Sequence, residues 1–465
     1  MNDSSPRPLP TGKEIHFGHD ELFFSRTDSK GIIEFGNEVF VRVSAYPRER
    51  LLRSPHNIVR HPEMPKAVFR LFWNSLLAGR PIAAYVNNLN ARGEHYWVKA
   101  VAFPVRGGFL SIRLRPSSRY FDVVRDLYQD LLRHERSEGV DSALARLGEL
   151  LREKGFTSYE AFMTESLRAE LLARDLQLKA RPAATGSGSL VQVRQAASQG
   201  SRTFLRLFLA VENFGRTKEV FVTHTRGVLE SFHSISHLPL NMTVIAEKLG
   251  SAGRTLSVVS AEFKILSDQV ESQLRGFIDS VELIETGIRE SSFGISALKV
   301  QMDMVEFFVN ESLGNIAAGA VSREAGFDAL RANQEHFLTL SRDSLGEVLL
   351  RLKQLRSKLQ QFLAGIGEIE TFISGIEIVR QKGRVESSLD PGAELAFEHQ
   401  LSELRQFSLG LRKISAVLRA STGSLLGEVN SIEEDIGSGV ASLQRIFALA
   451  LAASKFPTAD ATPSH

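Results

Sequence analysis

The sequence predicts a small α+β domain followed by a long all-α rod of the coiled-coil or four-helix-bundle kind. Three observations carry this reading. Between residues 20 and 116, β-rich runs alternate with turn residues; from about residue 119 the strand signals stop; from about residue 190 apolar residues recur in alternating steps of three and four. A chain of 465 residues corresponds to about three domains. With 43% hydrophobic and 24% charged residues it has the composition of a folded chain, not a disordered one.

The elements follow in order. Residues 1–17 are polar and Pro-rich and read as a flexible arm. The domain proper spans 18–118. "ELFFSRTD" (21–28) is a strand candidate, and "DSKG" supplies the turn before "IIEF" (32–35). "MPKAVFRLFWNSLLAG" (64–79) is helical. "IAAYVNNL" (82–89), "EHYWVKAVAFPV" (94–105) and "GFLSIRLRP" (108–116) then form an antiparallel meander punctuated by "NARG" and "RGG". Residues 119–189 read as a helical linker. One of its helices starts at Thr157, with Glu160 at capping-box spacing, and the linker ends in the flexible break at 181–189.

Residues 190–453 contain four helical segments at 190–249, 254–311, 328–380 and 394–453. The third carries a seam of Leu345, Val348, Leu352, Leu355, Leu359, Phe362, Ile366, Ile369, Ile373 and Ile376 without a fault. Glycines along the seams (Gly287, Gly294, Gly365, Gly375, Gly423) are expected to soften the packing. Four segments of similar length joined by reversals predict an up-down-up-down bundle within one chain, with the 250–253 and 381–393 turns at the same end. Residues 454–465 read as a disordered tail.

Several function classes are excluded. Without cysteine there is no disulfide, thiolate catalysis or thiol redox sensing. Lys plus Arg (56) against Asp plus Glu (54) gives a net charge of +2, which argues against nucleic acid. His16 and His19 form an H-x-x-H pair lacking a third ligand, and are read as solvated, not metal-binding. No phosphate-binding Gly-loop with its lysine, nucleophile elbow or H-E-x-x-H occurs, so the chain is expected not to be an enzyme. No apolar run reaches membrane-span length and the N-terminus lacks an apolar signal core, so a cytoplasmic location is expected.

Strands, short helices and three hairpin-linked strands is the element order of a PAS domain. "PHNIVRHPEMPKAVFRLFW" (55–73) followed by "GEHYWVKA" (93–100) resembles the PAS domain of bacterial aerotaxis receptors, over about residues 18–120. That family holds FAD noncovalently and reports its redox state. The resemblance implies flavin contacts from Asn37, Arg60, His61, Glu63, Phe69, Trp73 and Asn88, with Glu63 where the family usually has Asp. By residue chemistry, Phe69, Trp73 and Trp97 suit a flat apolar slot, and Arg60, His61, Asn37 and Asn88 suit the polar ring edge. The alternative is plain aromatic core.

"NMTVIAEKLGSAGRTLSVVSAEFKIL" (241–266) is similar to the hairpin tip of methyl-accepting chemotaxis receptors. The resemblance implies partner contacts from Leu240, Asn241, Arg254, Val258 and Glu262, toward a chemotaxis kinase or coupling protein. Gly250 and Gly253 are read as the positive-φ positions of the reversal. Departures at Ile245, Lys248 and Ser251 predict weak binding or none to standard partners, and Pro239 predicts a kink. The reading is a cytoplasmic flavin-dependent redox or oxygen sensor that signals through a helical bundle, with a homodimer through the PAS domain or the helices as a further expectation. The alternatives are a cofactor-free PAS–coiled-coil scaffold and a heme-PAS gas sensor using His61 or another histidine.

Overall fold

Five strands form one antiparallel sheet, and the strand candidates fall on it closely. In the computed structural model, which describes residues 8–178, 189–235, 237–251 and 253–454, β1 is Phe23–Asp28, β2 Ile33–Gly36, β3 Ile82–Leu89, β4 His95–Val105 and β5 Gly108–Leu114. Their order is β2-β1-β5-β4-β3. Between β2 and β3 lie α1 (Glu38–Ser44), α2 (Arg48–Leu51), a 3₁₀ turn (His56–Val59) and α3 (Lys66–Leu77). The expectations for 1–7, for most of the 181–189 break and for the tail from 455 lie outside the described residues.

Side chains alternate across a strand, so the sheet has two different faces. The inner face carries Ser25, Ala100, Ala102, Ser111 and Arg113, opposite α3. The outer face carries Phe24, Tyr85, Trp97 and Lys99. Three helices, α4 (Arg119–Glu138), α5 (Val140–Glu153) and α6 (Tyr159–Gln177), contribute Leu131, Leu151 and Phe162 to the same apolar core. Tyr128 Oη donates to the Tyr85 carbonyl at 2.9 Å, and Lys99 Nζ donates to Ser166 Oγ at 2.7 Å. The expected linker is therefore part of the domain's core. The reason is its apolar stripe, which a free linker would leave in water.

The start of α6 also differs by one residue. Ser158, not Thr157, caps it, accepting from the Ala161 N–H at 3.2 Å. Nor is the expected arm free throughout. Thr11 N–H donates to the Gly93 carbonyl and Ile15 N–H to the His95 carbonyl, and Phe17 is buried. Backbone pairing to the β3–β4 turn and one buried ring outweigh the polar, Pro-rich composition.

The chain forms two compact units. The first comprises residues up to Phe208, Ser292–Val348 and the chain from Asp435. In it, the outer-face ring of Phe24 meets those of Phe308 and Phe337, and Gly294 leaves room for Val348, which an added Cβ would approach to 2.6 Å.

The second unit, Leu209–Ser291 with Leu349–Glu434, is an antiparallel four-helix bundle. Its helical passes come from α8 (Glu212–Ile235) with α9 (Leu238–Lys248), and from α10 (Arg254–Ala317), α11 (Arg323–Ser387) and α12 (Pro391–Ser454), of which other parts belong to the first unit. Phe362 of α11 packs on Phe221 and Phe277, and Phe232 packs on Phe372 and Phe407. Every residue of the predicted 345–376 seam is buried. Lys382 Nζ donates to Glu262 at 2.9 Å, so the turn after α11 does lie at the 250–253 end.

The expected first segment, 190–249, is three helices rather than one: α7 (Ser189–Ala210), α8 and α9. Pro239 sits in the first turn of α9, where its missing N–H breaks no helical bond. Gly250 has φ +58, but Gly253 does not take a positive φ. An added Cβ at Gly253 would lie 1.8 Å from the Ala246 carbonyl oxygen, so glycine is required there for close approach. Gly287 likewise makes room for Leu355, at 3.1 Å from an added Cβ, and fits the packing instead of loosening it.

Candidate functional site

A cleft of about 230 Å³ opens in the first unit, between the inner face of the sheet and α3. Small side chains on three strands make its floor: Ser25 on β1, Ala100 and Ala102 on β4, Ser111 on β5. Larger residues at these facing positions would fill it. Its wall is aromatic. Phe69, Phe72 and Trp73 come from the motif helix, whose spacing of three and four brings them to one side. Trp73 is 36% exposed and meets Phe109 edge-on at 5.4 Å. Gly31, at φ +80 in the β1–β2 turn, lies against the Trp73 indole, 3.3 Å from an added Cβ.

Two polar atoms of the lining are buried without a hydrogen-bond partner: Asn88 Nδ2 and Ser111 Oγ. Asn88 is 3% exposed. A buried donor left unmade is costly, and a ligand acceptor placed there would offset that cost. The Arg60 guanidinium lies over the Phe69 ring, 4.1 Å from its centroid, and donates to the Met64 carbonyl at 3.1 Å. Its backbone bridges that of Asn88.

At the base of the cleft stand His56 and Arg113. Arg113 Nη2 lies 2.7 Å from His56 Nε2 and Nη1 donates to Ser25 Oγ at 2.9 Å. Burial, then the neighbouring guanidinium, hold the His56 imidazole well below its ordinary pKa. Burial lowers Arg113 to about 10, so it stays a cation at neutral pH and His56 accepts at Nε2.

Of the residues expected at the site, Arg60, Phe69, Trp73 and Asn88 line one cleft. The other three stand elsewhere. Asn37 caps α1, accepting from the Phe40 and Phe24 N–H groups, and its Nδ2 donates to Leu22 O and to Glu311 Oε1 at 3.3 Å. His61 is buried beside His95, its Nδ1 accepting from the Glu63 N–H, while burial lowers its pKa. Glu63 is exposed. Trp97 lies on the outer face, against Phe121 and Tyr128, because it is an odd number of residues from Ala100 and Ala102. Sequence reasoning missed Arg113, Ser111 and His56. The alternation in "FLSIRL" carried a signal, since Ser111 and Arg113 share a face between Leu110, Ile112 and Leu114.

In the second unit, Leu240, Asn241, Arg254 and Val258 are exposed near the α9–α10 turn, and Glu262 is paired with Lys382.

Residues 33–109 match the family described as the PAS fold. These residues form a PAS domain. The aerotaxis receptor of Escherichia coli (strain K12) is 37% identical over 145 residues. That match takes in 30% of this chain and spans 29% of the receptor's length. Among solved structures, the light-state Aureochrome1 LOV domain is 18% identical, covering 22% of this chain and 88% of that one, with a TM-score of 0.20. A PAS domain from Colwellia psychrerythraea is also 18% identical, covering 20% of this chain and 85% of that one, with a TM-score of 0.18. The PAS domain here is followed by a long helical region, and among the described residues no helix is long and apolar enough to cross a membrane.

Proposed function

We propose that the PAS domain binds a flavin, as FAD, in the cleft and that the chain is a redox or oxygen sensor without turnover chemistry of its own. The observation that carries this is the lining itself: aromatic walls over a floor of small residues, with Asn88 Nδ2 unpartnered and 3% exposed. The residues present fit a flat heteroaromatic group with acceptors on its edge. The 37% identity with an aerotaxis receptor supports the same ligand class. A bound flavin would supply reversible electron uptake, with a change of charge and hydrogen bonding at the ring.

The chain's own residues then have distinct tasks. Phe69, Phe72 and Trp73 exclude water from the ring faces; Asn88 and Ser111 present hydrogen-bonding atoms to the ring edge; Arg60, stacked on Phe69, holds that wall in place. Ser25 lies in the floor, while the adjacent Phe24 projects from the outer face onto Phe308 of α10. A shift of β1 caused at the cleft therefore reaches a helix through one residue step. A chemotaxis kinase or coupling protein in the cytoplasm is the partner class to test, with Asn241 and Arg254 as the residues to alter.

The heme reading is less well supported. The histidine of the cleft, His56, has its Nε2 lone pair engaged by Arg113 at 2.7 Å. The test is the visible spectrum of purified protein titrated with FAD. Flavin bands that bleach with dithionite support the proposal; a Soret band, or no binding of added FAD, rejects it.

A further inference from the structure

Arg113 is a buried cation facing neutral acceptors. Its side chain is 5% exposed, and its hydrogen bonds go to Ser25 Oγ, His56 Nε2 and, at 3.5 Å, the Ser111 carbonyl. Among the described residues none of its partners is a carboxylate. The contrast within the same unit is direct: buried Arg174 donates to Asp303 Oδ2 at 2.9 Å, and buried Lys299 reaches that carboxylate at 2.8 Å. A guanidinium taken out of water without a counter-charge is costly unless something else supplies the charge. Here the cleft lies against it, and Arg113, His56 and Ser25 all line that cleft.

His56 fixes the direction of the charge. Its ring stacks on Phe40, with centroids 5.9 Å apart and planes 2° from parallel, and because an arginine can only donate, the 2.7 Å contact at Nε2 makes it a neutral acceptor. Ser25 accepts at the other guanidinium nitrogen. The pair thus carries one buried positive charge at the base of the cleft; the lining's other cations are the exposed Lys30 and the half-buried Arg60 on Phe69.

We infer that Arg113, positioned by His56 and Ser25, is the counter-cation of the cleft, selecting a flat heteroaromatic ligand whose buried edge bears negative charge. The inference rests on the flavin reading and deepens it: Arg113 favours the reduced, anionic flavin ring over the oxidised, neutral one. With dithionite as the electron donor, two electrons pass to the ring, dithionite is oxidised to sulfite, and one proton is taken from solvent. The ring gains one net negative charge. A fixed cation in surroundings of low polarisability stabilises that charge and raises the midpoint potential.

The test uses the full chain loaded with FAD, its potential measured by equilibration with a reference dye. Arg113→Met removes the charge; Arg113→Lys restores a cation; Ser25→Asp puts a carboxylate beside the guanidinium and keeps the arginine. Arg113→Met and Ser25→Asp are expected to lower the preference for reduced over oxidised flavin at least tenfold, a fall of about 30 mV for a two-electron couple. Arg113→Lys retains most of the wild-type potential. A folded Arg113→Met or Ser25→Asp protein with the wild-type potential overturns the inference and leaves flavin binding intact. Wild-type protein that takes up no FAD defeats the functional reading, and this inference with it.

Discussion

The ring of Phe24 meets that of Phe308 edge-on, with centroids 5.7 Å apart. Phe24 is fully buried on the outer face of β1, and its neighbour Ser25 lies in the floor of the cleft. Phe308 also touches Phe35 and Phe337, so one aromatic cluster joins the PAS sheet to α10 and α11. Phe308→Ala should cost about 3–5 kcal/mol of stability, as large-to-small changes of buried aromatics do. It should leave flavin absorbance unchanged, because no cleft residue is touched. Thermal unfolding and a flavin spectrum of the same variant check both halves.

Glu311 gives a pH prediction. Its carboxyl, hydrogen-bonded to Asn37, is raised to about 7 by burial and by the nearby Glu38 carboxylate. The folded state keeps this proton where the unfolded chain has lost it. Stability should therefore fall as pH rises from the ordinary carboxyl value of 4.5 to about 7, by about 3 kcal/mol for this group, and level off above. Glu311→Gln should flatten that dependence and gain in Tm over wild type at pH 8 but not at pH 4.5. Paired melting curves across this range measure it.

Glu170 ties α6 to the sheet. It is 1% exposed and accepts from Tyr85 Oη at 2.7 Å, from the N–H groups of Ser117 and Ser118 at 2.6 and 3.0 Å, and from Ser118 Oγ. Glu170→Ala strands these donors and also removes the carboxylate that partly offsets the burial of Lys99, an ammonium held down to about 7. A loss of about 3 kcal/mol or more is expected from the unmade hydrogen bonds. Chemical denaturation followed by the fluorescence of Trp97, which packs between β4 and α4, reports it.

The two glycines of the α9–α10 turn should respond differently. Gly250→Ala costs about 1 kcal/mol, from its φ of +58 alone. Gly253→Ala drives a methyl group against the Ala246 carbonyl and should cost about 1–3 kcal/mol, the larger loss. Melting temperatures of the two variants give the order.

The strands and the long seams were legible because each is a repeating apolar pattern, of period two in "IAAYVNNL" and of three and four in 345–376. The α9–α10 break was legible from Gly250 and Gly253, though the role of Gly253 depends on a carbonyl that no local pattern reveals. Position within the motif brought Arg60, Phe69, Trp73 and Asn88 to one cleft. It did not reveal that Asn37 is spent on a helix cap, or that Trp97 faces away. Arg113 escaped notice because its neighbours come from distant segments: the β1–β5 pairing brings Ser25 to it, and the 3₁₀ turn brings His56. The α4–α6 helices were read as linker because amphipathic stripes do not say what they cover.

Flavin binding in the cleft is what the redox reading of this chain stands on. The most direct test is a titration of the purified chain with FAD, followed by absorbance and flavin fluorescence, beside an Asn88→Leu variant that removes the unpartnered donor and fills its place. Wild type should bind saturably, with flavin bands that bleach under dithionite, and the variant at least tenfold more weakly in a protein of unchanged helical content. Absence of binding by wild type, or equal binding by both, would contradict that reading.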